Sequence, residues 1–462
     1  MLRKVTISQG TVEGLPAADP RITSFKGIPY AEPPVGNLRF HAPVPAGKWE
    51  GVLKAYNFSK IAVQPKPYYD PNDLYCREWS VDKDQPMGED CLTVNVWTPA
   101  KAADEKLPVY VWIYGGGWQT GFSAEMEFDG ERIARRGIVV VTMNYRLNCF
   151  GFLCHPEITA ENPAAPANFG LLDQRLAMKW VKNNIAAFGG DPDNMTLGGQ
   201  SAGGGSVLHQ MMYGRENNLY KRVMVDSGIF INPFFQQFPL RNLKEAEQIG
   251  VDFFNFLGVK TLKEARALET DFIQQKWEEY GGWAKSIQSW LPVMDDKFVK
   301  GDFFSIARQK DFEPVPMMTG QTTDEFKIAK PGTDQFFSMV KLGIWEYRKI
   351  LEENGHDKND MWYYEFDVPI PGWDRPGKFH SVDLWFWFET LAKCWRPFTG
   401  VHYDISRQMC NYLCNFIKTG NPNGIDYEER KLPNWEQFST ANPKKMIFDV
   451  DCHQILDNET IV

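Results

Sequence analysis

The chain has 462 residues and a formal net charge of −9, with 43% hydrophobic and 14% aromatic residues. This composition is sufficient for a large folded core and excludes an extensively disordered protein. Because the acidic balance contains no basic block, it argues against nucleic acid or an anionic membrane surface as a partner. No apolar run approaches the ~18 residues that a membrane-spanning helix needs. The N-terminus enters an alternating strand pattern without a signal peptide, which predicts a cytoplasmic protein.

Apolar runs and helical periodicities alternate along the chain. We predict strands at residues 3–7, 21–25, 92–98, 107–114, 138–144, 195–197, 223–226, 315–319, 361–366 and 446–449, and long helices at 171–187 and 404–418. Continuous β-branched runs such as 138–144 are typical of parallel strands buried on both faces. The alternation implies an α/β fold with a doubly wound sheet. Since no repeat or linker interrupts it, we expect one domain over 1–462, with a helix-rich insertion at about 240–310.

The stretch Phe188–Ser206 contains the pattern G-x-S-x-G around Ser201, between a strand-like run and residues that can enter a helix. A serine at such a tight turn exposes its Oγ, and glycine at both flanking positions avoids a Cβ clash. The following helix directs free N–H groups and its positive end toward charge that develops on a substrate. This context predicts a nucleophilic serine.

Acyl transfer by serine also needs a base, an acid that holds the base and N–H donors for the oxyanion. The glycine run 115–117 ends an apolar strand and is a candidate for the donors. In this fold class the acid and then the base follow the serine. Among the downstream histidines, His380 stands between a Gly/Pro-rich loop and an apolar helix, where functional residues concentrate. Asp324 and Glu325 both follow a predicted strand, and composition does not choose between them.

The chain resembles the type-B carboxylesterase and cholinesterase-like family of α/β-hydrolases over nearly its whole length. The segments that carry the likeness are EDCLTVNVWTP (Glu89–Pro99), NYRLNCFGFL (Asn144–Leu153), NFGLLDQRLAMKWVKNNIAAFGGDP (Asn168–Pro192) and FGGDPDNMTLGGQSAG (Phe188–Gly203). The resemblance implies a central, mostly parallel sheet flanked by helices, with helical insertions. It also implies Ser201 as nucleophile, Glu325 as acid and His380 as base. The implied oxyanion donors are the N–H groups of Gly116, Gly117 and Ala202, and Ser227 falls where relatives have a serine that supports the triad.

The sequence departs from this family at four positions. Tyr114 replaces the usual His before the glycine run, Gln200 the usual Glu before the nucleophile, Phe326 the Gly after the acid, and Glu389 a Gly after the histidine. None of these changes removes a triad residue. Without a Glu at position 200, we expect the site to attract cationic, choline-like alcohols less. In secreted relatives Cys91 often pairs with an upstream cysteine, for which Cys76 is available here; a cytoplasmic protein would keep both reduced.

The resulting hypothesis is a serine carboxylesterase that uses no metal or organic cofactor. Its partner is a small-molecule ester, which we expect to be neutral, fairly apolar and of short to medium acyl length. The residues that we predict to line the pocket are Trp118, Gln200, Trp283, Trp290 and Trp385. The alternatives are an amide or carbamate hydrolase or a lipase with the same triad, and a non-catalytic binding protein of the same fold.

Overall fold

The computed structural model describes residues 1–66, 70–79, 84–214, 219–232, 240–309, 312–426 and 428–457. The strands in this part are β1 (Lys4–Thr6), β2 (Thr11–Glu13), β3 (Leu15–Pro16), β4 (Thr23–Pro29), β5 (Val52–Lys54), β6 (Thr93–Thr98), β7 (Leu107–Ile113), β8 (Val139–Met143), β9 (Gly190–Gln200), β10 (Arg222–Asp226), β11 (Met317–Thr322), β12 (Lys327–Ala329), β13 (Phe336–Ser338), β14 (Met361–Phe366), β15 (Lys444–Phe448) and β16 (His453–Leu456). The α-helices are α1 (Leu74–Trp79), α2 (Glu131–Ala134), α3 (Asn148–Phe152), α4 (Pro156–Glu161), α5 (Phe169–Asn184), α6 (Ala202–Met212), α7 (Leu243–Leu257), α8 (Leu262–Arg266), α9 (Thr270–Glu279), α10 (Gly282–Ser289), α11 (Phe303–Ala307), α12 (Met339–Glu353), α13 (Leu384–Trp387) and α14 (Gly400–Thr419).

The main sheet has the strand order β16-β15-β14-β11-β10-β9-β7-β8-β6-β4-β3. From β15 to β8 every neighbouring pair is parallel, whereas β16, β6, β4 and β3 pair antiparallel at the two sides. All residues of β8, β10 and β14 are buried, because helices cover both faces of the parallel part. The α/β class and the mostly parallel sheet predicted from the sequence are therefore confirmed.

The residues predicted to form the site follow the carboxyl ends of the parallel strands. Gly115 follows β7, Ser201 follows β9, Ser227 follows β10 and Glu325 lies three residues beyond β11. Since these strands are parallel and adjacent, their carboxyl ends meet at the same edge of the sheet, where ligands bind in open α/β folds. The register aligns Gly199 with Val225 and also with Ile113.

Helices α7 to α9, between β10 and β11, form a layer beside α3 to α5. Capping boxes start two of them, with Asn242 and Glu245 at α7 and Thr261 and Glu264 at α8. Their apolar faces pack with residues of α3 to α5 in a second buried cluster. In the described part of the chain, no helix has both the length and the apolar character that crossing a bilayer requires.

Candidate functional site

Ser201 occupies a strained turn between β9 and α6. Its backbone angles are φ 55° and ψ −125°, a region that non-glycine residues rarely adopt. A Cβ at Gly199 would lie 2.4 Å from the carbonyl oxygen of Gly203, and one at Gly203 would lie 2.1 Å from that of Ile113. The turn therefore requires glycine on both sides of the serine. The N–H of Ser201 donates to the carbonyl of Asp226 over 3.0 Å, which fixes the turn against β10.

His380 is hydrogen-bonded through Nδ1 to the Glu325 carboxylate. The Glu325 side chain is fully buried, and its other oxygen accepts from the N–H of Thr322 over 3.1 Å. Asp324, the alternative that composition left open, is exposed and binds the Lys327 ammonium group instead. The structure thus brings Glu325, and not Asp324, to the histidine.

The amide of Gln200 lies against the same imidazole. Its Nε2 is 3.2 Å from His380 Nε2 and 3.4 Å from Nδ1, and it donates to Ser381 Oγ over 2.7 Å. Ser201 and His380 line one cavity, and the described hydrogen bonds include none between Ser201 Oγ and the ring. The Gln200 amide is therefore a neutral neighbour of both residues.

Three residues that line the same cavity as Ser201 have backbone N–H groups without a described partner. Gly116 and Gly117 have φ of 99° and 63°, and Ala202 is the first residue of α6. Within the described ranges, the N–H groups of these three residues donate no hydrogen bond, and all three residues line the cavity. A Cβ at Gly115 would lie 3.0 Å from the Ser201 Cβ, so the glycine run passes directly beside the serine. Such free donors are suited to stabilising an oxyanion.

Two buried carboxyl groups lie behind the triad candidates. The Tyr364 hydroxyl donates to Asp226 over 2.7 Å and to Asp383 over 3.3 Å, and Ser227 Oγ donates to Asp226 over 3.0 Å. Burial, followed by repulsion from Asp383, raises the pKa of Asp226 well above its ordinary value. Burial, followed by the negative charge of Glu325, raises the pKa of Asp383 to about 7. Ser227 thus supports Asp226 directly, and no described hydrogen bond links it to the triad candidates.

A cavity of about 1130 Å³ opens in front of Ser201. Of the residues predicted to line it, Trp118 and Gln200 do so. Trp290 and Trp385 instead belong to the hydrophobic core: they are 1% and 0% exposed, and neither lines the cavity. The side chain of Trp283 lies outside the described part of the chain. Aromatic cavity residues that the sequence analysis did not single out for the pocket are Tyr75, Trp79, Phe122, Phe128, Phe230, Phe303, Phe304 and Phe326.

The other departures from the family pattern also have defined surroundings. Tyr114 stacks on Tyr145 with ring centres 4.5 Å apart. Phe326 packs edge-on against the His380 ring at 4.4 Å, and it therefore forms part of the site. Glu389 has φ 55°, forms an ion pair of 2.6 Å with Arg136 and does not line the cavity.

No group of three or more potential ligand side chains in the described part is arranged to hold a metal ion. The eight cysteines, all of them described, form no disulfide, and Cys76 is therefore not bonded to Cys91. Both of these thiols are buried.

Comparisons with known proteins match the whole chain. The family model described as "Carboxylesterase family" covers residues 2–342 and 334–459. A para-nitrobenzyl esterase of Bacillus subtilis is 29% identical over 96% of this chain and 94% of its own length. A mouse cholinesterase is 40% identical over 98% of this chain and 84% of its own. Among solved structures, a PNB esterase superposes with a TM-score of 0.80 at 26% identity, covering 99% of this chain and 98% of that one. A carboxylesterase of Geobacillus stearothermophilus gives 0.78 at 27% identity with the same coverage.

Proposed function

Since the chain belongs to the carboxylesterase family and is a carboxylic ester hydrolase, we propose that it cleaves esters through an acyl-enzyme formed on Ser201, with His380 as base and Glu325 as acid. The observation that carries the proposal is the hydrogen bond between His380 Nδ1 and the buried Glu325, on the cavity that Ser201 lines. The acceptor at Nδ1 selects the tautomer in which Nε2 is unprotonated, and the Gln200 amide must give up its contact with Nε2 when Nε2 takes a proton. Hydrogen bonds between nucleophile and base often tighten only in the substrate complex.

In the first half-reaction, His380 Nε2 accepts the Ser201 proton as Oγ attacks the ester carbonyl carbon. The negative charge then develops on the former carbonyl oxygen, which faces the N–H groups of Gly116, Gly117 and Ala202. The imidazolium returns its proton to the alcohol as the ester C–O bond breaks. In the second half-reaction, His380 deprotonates a water molecule, which attacks the acyl carbon and releases the acid. The buried Glu325 carboxylate stabilises the imidazolium in both halves.

We further propose that the substrate is a neutral, fairly apolar ester of short to medium acyl length. Phe230 and Phe326 both line the cavity, and Phe326 packs against His380, so bulky rings occupy space beside the reacting atoms. At position 200 an uncharged amide adjoins the histidine. Glu125 and Glu127 also line the cavity, but burial raises the pKa of Glu125 to about 7 and that of Glu127 well above its ordinary value. The cavity therefore carries less negative charge than its residue types suggest.

A fluorophosphonate probe tests the nucleophile. We expect labelling of the wild-type protein at Ser201, no labelling of Ser201→Ala, and normal labelling of Ser439→Ala as a matched control, because Ser439 is not among the cavity-lining residues. We expect Ser201→Ala to lose at least about 10³-fold in kcat on 4-nitrophenyl acetate. Labelling of another serine, or retention of more than a few per cent of activity, would contradict the assignment.

A panel of 4-nitrophenyl esters tests the substrate class. We expect kcat/KM to be higher for acetate and butyrate than for palmitate, and lower for a choline ester than for a neutral ester of equal acyl length. A preference for palmitate would indicate a lipase. Faster cleavage of matched amides or carbamates would favour the corresponding alternative, and absence of turnover together with ligand binding would indicate a binding protein.

A further inference from the structure

One wall of the cavity is a single face of α6. Gly205, Leu208, His209 and Met212 all line the cavity, and their spacing of three, four and seven residues places them along one side of the helix. We refer to these four residues as the α6 wall. His209 is the only one of the four with a polar side chain, and its ring is half-buried. A polar group in an otherwise apolar wall fixes the orientation of a ligand.

The imidazole of His209 has no hydrogen-bond partner among the described residues. Its Nδ1 is buried and unpaired, which is costly for a polar atom, whereas Nε2 is not fully buried and also has no described hydrogen bond, so a ligand in the cavity would reach the ring at Nε2. The neighbouring Trp118 ring lies 6.3 Å from His209 between ring centres. Its Nε1 is not a partner for His209, because it donates to Ser206 Oγ over 2.9 Å. Ser206 Oγ also accepts from Gln174 over 3.0 Å. The polar groups beside His209 are thus engaged with one another, whereas His209 is not.

His209 is uncharged at neutral pH. Burial lowers the pKa of its imidazole to about 4, and no charged group is among the causes of that shift. A neutral imidazole has one N–H donor and one acceptor nitrogen, so it pairs with an uncharged polar group without requiring a counter-ion.

His209 follows Ser201 by eight residues along α6, which corresponds to about 12 Å along the helix axis. Side chains on a helix lean toward its N-terminus, so the ring lies over the preceding turn, about 8–12 Å from the serine. A substrate group that reaches it must therefore be separated from the reacting carbonyl by a chain of about six to nine bonds.

We propose that His209 is a specificity residue, which hydrogen-bonds an uncharged polar group that the ester carries about 8–12 Å from the reacting carbonyl. The chemical class is an ester with a medium-length apolar chain that bears a remote hydroxyl, ether or carbonyl oxygen. This inference rests on the proposed ester hydrolysis at Ser201 and adds a second, distant point of recognition to it.

Matched pairs of esters that differ only in the remote group test the proposal. On the acyl side the pair is 4-nitrophenyl octanoate and 4-nitrophenyl 8-hydroxyoctanoate; on the alcohol side it is hexyl acetate and 6-hydroxyhexyl acetate. For each pair the measured quantity is the ratio of kcat/KM for the hydroxylated and the plain ester. We expect His209→Leu to lower this ratio about fivefold to tenfold in one of the two series, the effect of losing one hydrogen bond. His209→Gln, which retains a donor and an acceptor, should restore most of the ratio.

His453→Leu is the matched control, because His453 is exposed on β16 and is not a cavity residue. It should leave both ratios at the wild-type value. Two results would overturn the proposal. One is a ratio that His209→Leu leaves unchanged in both series. The other is an equal fall in kcat/KM for all esters in His209→Leu and His209→Gln, with the ratio of hydroxylated to plain ester preserved.

Binding to catalytically inactive protein separates this proposal from the catalytic one. Calorimetric affinities of Ser201→Ala for each intact ester pair, with and without His209→Leu, do not depend on turnover. If wild-type protein fails to hydrolyse the esters but the double variant still loses the preference for the hydroxylated ester, the mechanism is wrong and the role of His209 stands. If hydrolysis occurs at Ser201 but neither binding nor kcat/KM discriminates through His209, the role of His209 is wrong.

Discussion

Replacing Asp383 by asparagine should change how the stability of the protein depends on pH. Asp383 and Asp226 are both 0% exposed, share the Tyr364 hydroxyl and form no ion pair within the described residues. Burial and the nearby negative charge of Glu325 raise the pKa of Asp383 to about 7, against an ordinary value of 3.8. The folded protein therefore holds a proton at Asp383 that the unfolded chain releases in mildly acidic solution.

The sign of the effect follows from this difference in proton binding. The neutral Asp383 contributes its full stability below pH 3.8, and that contribution is lost as pH rises through about 7. Between pH 5 and pH 7 the free energy of unfolding falls by about 1.36 kcal/mol per pH unit, which gives about 3 kcal/mol over this range. An asparagine does not titrate, so its contribution to stability does not change over the same pH range. The stability of Asp383→Asn relative to wild type should therefore increase by about 3 kcal/mol from pH 5 to pH 8.

Thermal unfolding measured at several pH values tests this expectation. A chain of this length has an unfolding entropy of about 1 kcal/mol per kelvin, so 3 kcal/mol corresponds to about 3 °C in Tm. The Tm of Asp383→Asn minus that of wild type should rise by about this amount between pH 5 and 8, whatever its value at pH 5. Asp324→Asn is the control, because the pKa of this exposed carboxyl is lowered and it stays ionised throughout that range. Parallel Tm curves for wild type and Asp383→Asn would refute the reasoning.

Three further variants test other parts of the structure. Glu325→Gln should lower kcat on 4-nitrophenyl acetate by about 10³- to 10⁴-fold, because it removes the charge that orients the imidazole, whereas Asp324→Asn should cost less than about tenfold; the reverse order would contradict the choice of acid. Gly203→Ala places a Cβ 2.1 Å from a backbone carbonyl oxygen and should destabilise the fold by about 3 kcal/mol, while Gly400→Ala, with open space around it, should leave Tm nearly unchanged. Arg396→Met leaves the buried Glu78 without its cation, whereas Asp374 keeps its ion pair with Arg77, and should lower stability by about 3 kcal/mol in a denaturant titration; a loss below about 1 kcal/mol would contradict the importance of the Glu78 ion pair.

The central strands were predictable because their signal is local. The runs 107–114 and 138–144 became β7 (Leu107–Ile113) and β8 (Val139–Met143), each within a residue of the prediction. A strand buried on both faces must be apolar throughout, and few other elements of that length share this pattern. The helix α12 (Met339–Glu353) was missed, although its apolar residues recur at helical spacing. Short strands such as β5 (Val52–Lys54) carry only three residues of signal and are defined by pairing with distant strands.

The turn chemistry of the site was also readable from the sequence, whereas the choice of pocket residues was not. The G-x-S-x-G pattern identified glycine at 199 and 203, and the structure shows the contacts that require it, with Gly203 for Gly199 and with Ile113 of β7 for Gly203. A tryptophan in the sequence indicates only that a large ring is buried, and not whether the ring packs in the core or lines a cavity. Trp118 lines the cavity and Trp290 packs on Phe253 in the second core cluster, yet nothing in their immediate sequence separates the two roles.

The electrostatic character of the site depends on contacts between residues that are far apart in sequence. Asp226 and Asp383 are separated by 157 positions and meet only because β10 and the segment after His380 pack together around Tyr364. Neither residue has an unusual local pattern, so no sequence argument predicted their proximity or their raised pKa values. The same holds for Gln200, whose amide contacts a histidine 180 positions away. A carboxylate there would place a second anion beside the imidazole that Glu325 already holds, and it would stabilise the imidazolium before substrate binds. The amide does not, which leaves Glu325 as the one carboxylate hydrogen-bonded to the ring among the described residues.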